Sequence, residues 1–398
     1  MQRHIQIAIA CLVLIKLLTA QNGTRVACSP SPVPQSETPP AMQVKIRGML
    51  TGSAIGDAAG GPVEFVDPPL RSYWCTSEEK ITPKGIEELA ARFKLRAYTK
   101  DAEPFAQWEP YGPPGTITDD TRFKMIFMNA LKTCNGELTA EHFAGSVMNF
   151  RNDLPPGYKD KYDEWIPEIA YATNWLLGKT QNAYPPERIW CGLPTMMGQM
   201  PFIPVAALHP GDPEWCYIKT YELAYFDNGV ARDMNSALVA GLARTLQSDG
   251  SWNTFEKAMR SVDPYAYNEV LYVDRPLNHW LDLSHEWVKQ ADKNIANLFT
   301  ILEKNLKARY WWEAWVPLVV VMSCAEIVDY HPLASMQLMI EFGHDTDSYA
   351  QVMGAVLGAI NGIDIWPKDM RDMVNKRMKE QFNQNINDWM HLINQHSQ

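Results

Sequence analysis

The sequence predicts an all-α protein folded as one compact helical bundle. Apolar residues recur at three- and four-residue spacing along most of the chain, strand-like alternation is scarce, and no period of roughly 20 to 50 residues repeats, which disfavours a solenoid. With 398 residues, 46% of them hydrophobic and 21% charged, the composition is that of a globular protein with enough length for a large core.

The first element is an N-terminal leader. Arg3 and His4 precede an apolar run from Ile5 to Leu18, interrupted by Lys16, and Ala20 offers the small residue that signal-peptide cleavage needs. Residues 1–20 are therefore expected to be a signal peptide, and the mature chain to be exported. Residues 21–41, rich in Pro and Ser, read as a tether that cannot build a core. Cys28, after Val26 and Ala27, is a candidate lipid-anchored cysteine; because Arg25 occupies a position where such sites carry an apolar residue, a free or paired thiol is the favoured reading. No other stretch approaches the ~20 apolar residues that cross a bilayer.

The folded domain is expected over 42–398. In its first helix Ile46, Met49, Leu50, Ser53, Ala54, Asp57 and Ala58 share one stripe. A second helix follows Thr118, with Phe123, Ile126, Phe127, Ala130 and Leu131 on its buried stripe and Arg122, Lys124 and Asn129 outside it. Further helices are expected at 160–178, 215–226, 232–247, 284–306, 311–329, 346–361 and 367–394. The Pro-rich stretches 104–114 and 194–213 read as loops. Gly354, Gly358 and Gly362, with Ala355 and Ala359, give one helix a smooth face that another helix can approach closely.

Net charge bounds the partners. At −10, with 46 acidic and 36 basic residues and no run of Lys or Arg, the chain has no basic footprint for a nucleic-acid polymer. Cys75, Cys134, Cys191, Cys216 and Cys324 are widely spaced with no CxxC pair, which argues against a zinc site and against a dense disulfide scaffold, while leaving one or two disulfides open.

Two acidic clusters carry the chemistry. GTITDDT, over 115–121, puts Thr118, Asp119 and Asp120 at a helix start, and GHDTDS, over 343–348, puts Asp345, Asp347 and Ser348 at another. Capping alone accounts for one or two of these residues, because Asp and Thr oxygens accept the orphan N–H groups of a first turn. Repetition of the pattern far along the chain offers a second reading, in which six hard oxygen ligands converge on Mg2+ or Mn2+. Spacing does not decide between the two.

GMLTGSAIGDAAGGPVE over 48–64, GTITDDT, and GHDTDSYAQVMGAVLGAING over 343–362 resemble, in order, the opening motif and the two metal motifs of the ADP-ribosylglycohydrolase family. FIPVAALHPGDPE over 202–214, with AYFDNGVARDMNSALVAGLA after it, is similar to the family's central segment. The resemblance covers most of 45–365. It implies an orthogonal helical bundle and a binuclear site in which Thr118, Asp119, Asp120, Asp345, Asp347 and Ser348 ligate two Mg2+ or Mn2+ ions; a monomer is the default expectation, which the resemblance does not decide. It also implies hydrolysis of a glycosidic bond at a ribose-like anomeric carbon of an ADP-ribosyl or other small substrate. Glu64 matches a glutamate on a mobile segment over the metals, so Glu64, Asp119 and Asp120 are the candidate catalytic residues; Asp57 is expected to support the site from the buried stripe of its helix.

Four departures from the family's pattern stand out. His344 stands where the family usually has glycine, which bears on the loop or on substrate contact, and Ser348 where threonine is commoner, an exchange that keeps the hydroxyl oxygen. Met196–Pro201 replaces a loop that carries an arginine in members acting on ADP-ribose. Between 250 and 315 the chain is rich in aromatics, among them Trp252, Trp280, Trp287, Trp311, Trp312 and Trp315, which are candidates for a cap or for ordinary core. The alternatives are a glycoside or nucleoside hydrolase for another sugar, and a catalytically silent binding or structural protein.

Overall fold

Glycine at four-residue spacing on two distant segments decides how the core is assembled. The computed structural model describes residues 39–67, 69–97, 112–134, 136–153, 167–269, 274–306 and 311–397; the expected signal peptide, nearly all of the expected tether, Cys28, and the expected loop and helix segments at 104–111 and 160–166 lie outside them. Helices run in the order α1 (Pro40–Gly60), α2 (Tyr73–Thr76), α3 (Pro83–Ala90), α4 (Asp119–Thr133), α5 (Ala140–Asp153), α6 (Pro167–Leu176), α7 (Gln199–Phe202), α8 (Pro213–Leu223) and α9 (Gly229–Thr245). They continue as α10 (Trp252–Ser261), α11 (Pro276–Ala291), α12 (Ile295–Leu306), α13 (Trp315–Ile327), α14 (Pro332–Phe342), α15 (Thr346–Asn361), α16 (Lys368–Phe382) and α17 (Ile386–His396). Among the described residues there is no strand, although Thr195 and Glu313 form an isolated antiparallel bridge, and no helix is long and apolar enough to cross a membrane.

α1 and α15 lie antiparallel, backbone against backbone. A Cβ on Gly52 would stand 2.2 Å from the carbonyl oxygen of Gly354, one on Gly56 2.0 Å from that of Ala350, and one on Gly358 2.0 Å from that of Gly48. The last glycine of α1, Gly60, faces the backbone of Asp347. The C-terminal end of α1 is thereby fixed beside the first turn of α15, and α15 itself is buried from Thr346 to Ala359.

Several elements depart from the expected pattern for identifiable reasons. The expected helix 284–306 is two, α11 and α12, because Asp292 and Lys293 turn left-handed at φ 49° and 61°. That break is held from outside: the Lys293 carbonyl accepts from Ile81 N at 2.7 Å, and Asn294 Nδ2 donates to the carbonyls of Ser77 and Glu79. The expected helix 367–394 likewise divides into α16 and α17 at Asn383, φ 54°. The expected loop 194–213 contains α7 and a 3-10 turn, Ile203–Ala207, all buried. Phe202 carries it inward, packing on Phe143 at 5.2 Å and stacking on Phe226 at 5.9 Å. Cys75, Cys134, Cys216 and Cys324 are free, buried thiols.

On α4 the expectation that Arg122 and Lys124 lie outside the buried stripe fails; both are buried, whereas Asn129 is exposed. α4 is enclosed on more than one side, and the Arg122 guanidinium lies 6.0 Å from the Phe382 ring at the end of α16.

Candidate active site

Three segments meet where α1 ends and where α4 and α15 begin. Asp57, buried on the last turns of α1, accepts from the backbone N–H groups of Thr118, at 3.0 Å, and Thr121, at 3.1 Å, and from the Thr118 hydroxyl. It therefore satisfies the orphan donors of α4 from another helix, in the supporting role expected of it. Neither residue at the N-cap positions, Thr118 of α4 or Asp345 of α15, caps its own helix with its side chain. Capping by the N-cap side chain thus fails as the explanation for both.

The two acidic clusters do converge. Thr118 Oγ1 lies 2.8 Å from Asp347 Oδ2 and 2.5 Å from Asp57 Oδ1, and with one proton the hydroxyl can donate to only one of these carboxylates. Ser348 Oγ donates to Asp120 Oδ2 at 3.1 Å. Oxygens of Asp119, Asp120 and Asp347 lie within 4.8 Å of one another, and so do oxygens of Glu64, Asp345 and Asp347. Asp347 belongs to both trios. Glu64 follows the 3-10 turn Gly61–Val63 that continues α1, and the next residue, Phe65, donates its N–H to the His344 carbonyl at 2.8 Å.

Electrostatically the cluster calls for cations. Burial first, then Asp119, holds the Asp120 carboxyl well above its ordinary pKa; burial first, then Glu64 and Asp120, does the same to Asp347. Asp120 Oδ1 is buried with no hydrogen-bond partner, a costly arrangement for a carboxylate that a bound cation would relieve. Hard carboxylate and hydroxyl oxygens without nitrogen or sulfur suit Mg2+ or Mn2+, so these residues fit a divalent metal site.

Lys124 is the site residue that the sequence misplaced. Its buried ammonium donates to the Asp120 carbonyl at 2.9 Å and to Gln351 Oε1 on α15, and burial lowers its pKa while Asp120 and Asp57 raise it. Gln351 in turn donates toward the Gln199 carbonyl at 3.4 Å, which brings the short α7 to the back of the cluster. The only signal available was the i, i+4 step from Asp120 to Lys124, which is equally the mark of a solvated helix face.

The aromatic-rich segment divides. Trp287 is buried core and Trp280 stacks on Trp315 at 3.5 Å, whereas Trp311 reaches the acidic loop, where its ring stacks on His344 at 3.5 Å. His344 is thus a packing residue here. Two surface clefts of about 470 Å3 contain none of the clustered acids.

Comparison with known proteins bears on the family and the fold. A family model described as ADP-ribosylglycohydrolase matches residues 38–397. A solved structure titled "ADP-ribosylglycohydrolase-related protein complex" is similar in fold, with a TM-score of 0.53 and 15% identity over 90% of this chain and 99% of that one. No curated protein matches. The helical fold, the order of the motifs and a family match spanning nearly the whole chain lead to one assignment: the protein belongs to the ADP-ribosylglycohydrolase family.

Proposed function

We propose that the chain is a metal-dependent hydrolase that cleaves a glycosidic bond at a ribose-like anomeric carbon, its substrate an ADP-ribosyl compound or a related small molecule. Family membership supports glycohydrolase-type activity. The observation that carries the finer reading is the approach of Thr118 to Asp347 and of Ser348 to Asp120, from helix starts 229 and 228 positions apart. In this reading Thr118, Asp119, Asp120, Asp345, Asp347 and Ser348 hold two Mg2+ or Mn2+ ions. When bound, these supply Lewis acidity and fixed positive charge.

The chain's own residues do the rest. Asp119 and Asp120 set negative charge beside an anomeric carbon that becomes oxocarbenium-like as its bond breaks. In this reading Glu64, half-buried at the edge of the cluster, accepts a proton from the attacking water and returns one to the leaving group. Asp57 holds the first turn of α4, and with it Asp119 and Asp120, in register. We infer from the Ile5–Leu18 run that the mature protein works outside the cytoplasm.

A second substrate reading, a glycoside or nucleoside of another sugar, is favoured by Met196–Pro201, which has no arginine and is largely buried. One panel separates the two. The full chain is incubated with ADP-ribosyl-arginine, ADP-ribosyl-serine, nucleosides and aryl glycosides, with Mn2+ or with chelator. Metal-dependent release of ADP-ribose is expected, and release from aryl glycosides alone would exclude the preferred substrate.

A further inference from the structure

Immediately before Asp345 the backbone takes an uncommon path. Gly343 and His344 both have positive φ, 87° and 65°; glycine accepts this freely, but a residue bearing Cβ does not. His344 therefore needs compensating contacts. Its carbonyl accepts from Phe65 N and from Thr346 N, at 2.8 and 2.9 Å, so the same strained residue fixes both the start of α15 and the residue after Glu64. Its Nε2 is buried without a hydrogen-bond partner; the ring is instead held by its aromatic contacts, with Trp311 stacked at 3.5 Å and 17° and Phe342 edge-on at 5.2 Å.

Trp311 also touches the far flank of the acidic stretch, because the Tyr349 hydroxyl donates to its carbonyl at 2.9 Å. One residue thus brackets Asp345–Ser348, with its ring on the residue before and its carbonyl on the residue after. The segment carrying Trp311 is itself anchored: Met196 N donates to the Trp312 carbonyl and Ala314 N to the Pro194 carbonyl, each at 2.8 Å.

We propose that Trp311 is a positioning residue, which sets the Asp345–Ser348 ligands for their metal ions by stacking on His344 and offsetting its left-handed backbone. The proposal rests on the metal-dependent reading above. Trp311 has no part in the chemistry; it joins the aromatic segment to the loop whose geometry the ions require.

The test is Mn2+ titration of the full-length protein, with free Mn2+ followed by electron paramagnetic resonance and the fold followed by thermal melting in chelator. W311A is expected to bind about three- to tenfold more weakly, the range that an aromatic pair supplies, while W311F, which keeps a stacking face, stays near wild type. H344G should also stay near wild type because glycine needs no compensation at this φ, and W311A combined with H344G should recover the affinity that W311A loses. If W311A does not fold, H344A against H344G asks the same question from the other ring, and H344A is expected to bind more weakly. Wild-type affinity in W311A, a double variant as weak as W311A, or equal affinities in H344A and H344G would overturn the proposal. Absence of Mn2+ binding by the wild type would instead overturn the metal reading, and this proposal with it.

Discussion

Asp120 and Asp347 set the electrostatics of the site, and their environment fixes the sign of a pH effect. Both carboxyls are pushed above the ordinary carboxylate range, chiefly by burial, so the folded chain retains protons that the unfolded chain releases. The stability this contributes is complete below about pH 4, the ordinary carboxylate value, and is lost as pH rises through the raised pKa values. Melting in chelator should therefore show stability declining as pH rises above that range, and Mn2+ should flatten the decline by taking the place of the protons; a stability that rises with pH in chelator would contradict this. Lys124 is the counterpart cation, fully buried among the same acids. Lys124→Met should cost about 3 kcal/mol or more in chelator, read by urea unfolding, because it leaves the buried acids without their cation; an unchanged midpoint would show that the ammonium balances nothing. The acids were legible in the sequence because Thr-Asp-Asp and Asp-x-Asp-Ser stand out at helix starts. Lys124 was not, since helical periodicity identifies one buried stripe and says nothing of a helix enclosed on further sides.

At the scale of elements, the antiparallel contact of α1 with α15 carries the site, because it brings Gly60 against the backbone of Asp347. The glycines of both helices were visible in the sequence as smooth faces; that they meet each other was not, for the pattern names no partner. Gly52→Ala or Gly56→Ala places a methyl 2.2 or 2.0 Å from a carbonyl oxygen of the opposing helix, and no side-chain rotation relieves a clash with backbone. Either substitution is expected to destabilise the fold by about 3 kcal/mol and to weaken Mn2+ binding, measured on the same sample. A variant that melts and binds like wild type would show that the helices are not locked at this distance. Where element boundaries departed from the pattern, the cause was tertiary: the α11–α12 break is pinned by Ile81 and Asn294 and carries no glycine to announce it, and α7 is helical in a proline-rich stretch because Phe202 is drawn into an aromatic cluster.

At the scale of the molecule, the fold exists to bring together residues from near position 60, near 119 and near 347. The fold class and the acidic motifs could be read from the chain, since helical spacing and short clusters of carboxylates are local. Their convergence is a property of the whole bundle, and the site stands or falls on it. The direct test is Mn2+ binding by the chelated full-length protein, compared with Asp119→Asn on α4 and Asp347→Asn on α15. If one group of ions is shared between the two helix starts, the wild type binds Mn2+ and gains thermal stability from it, and each single substitution, though on a different helix, removes the gain. Undiminished Mn2+ binding and stabilisation in either variant would contradict a shared centre.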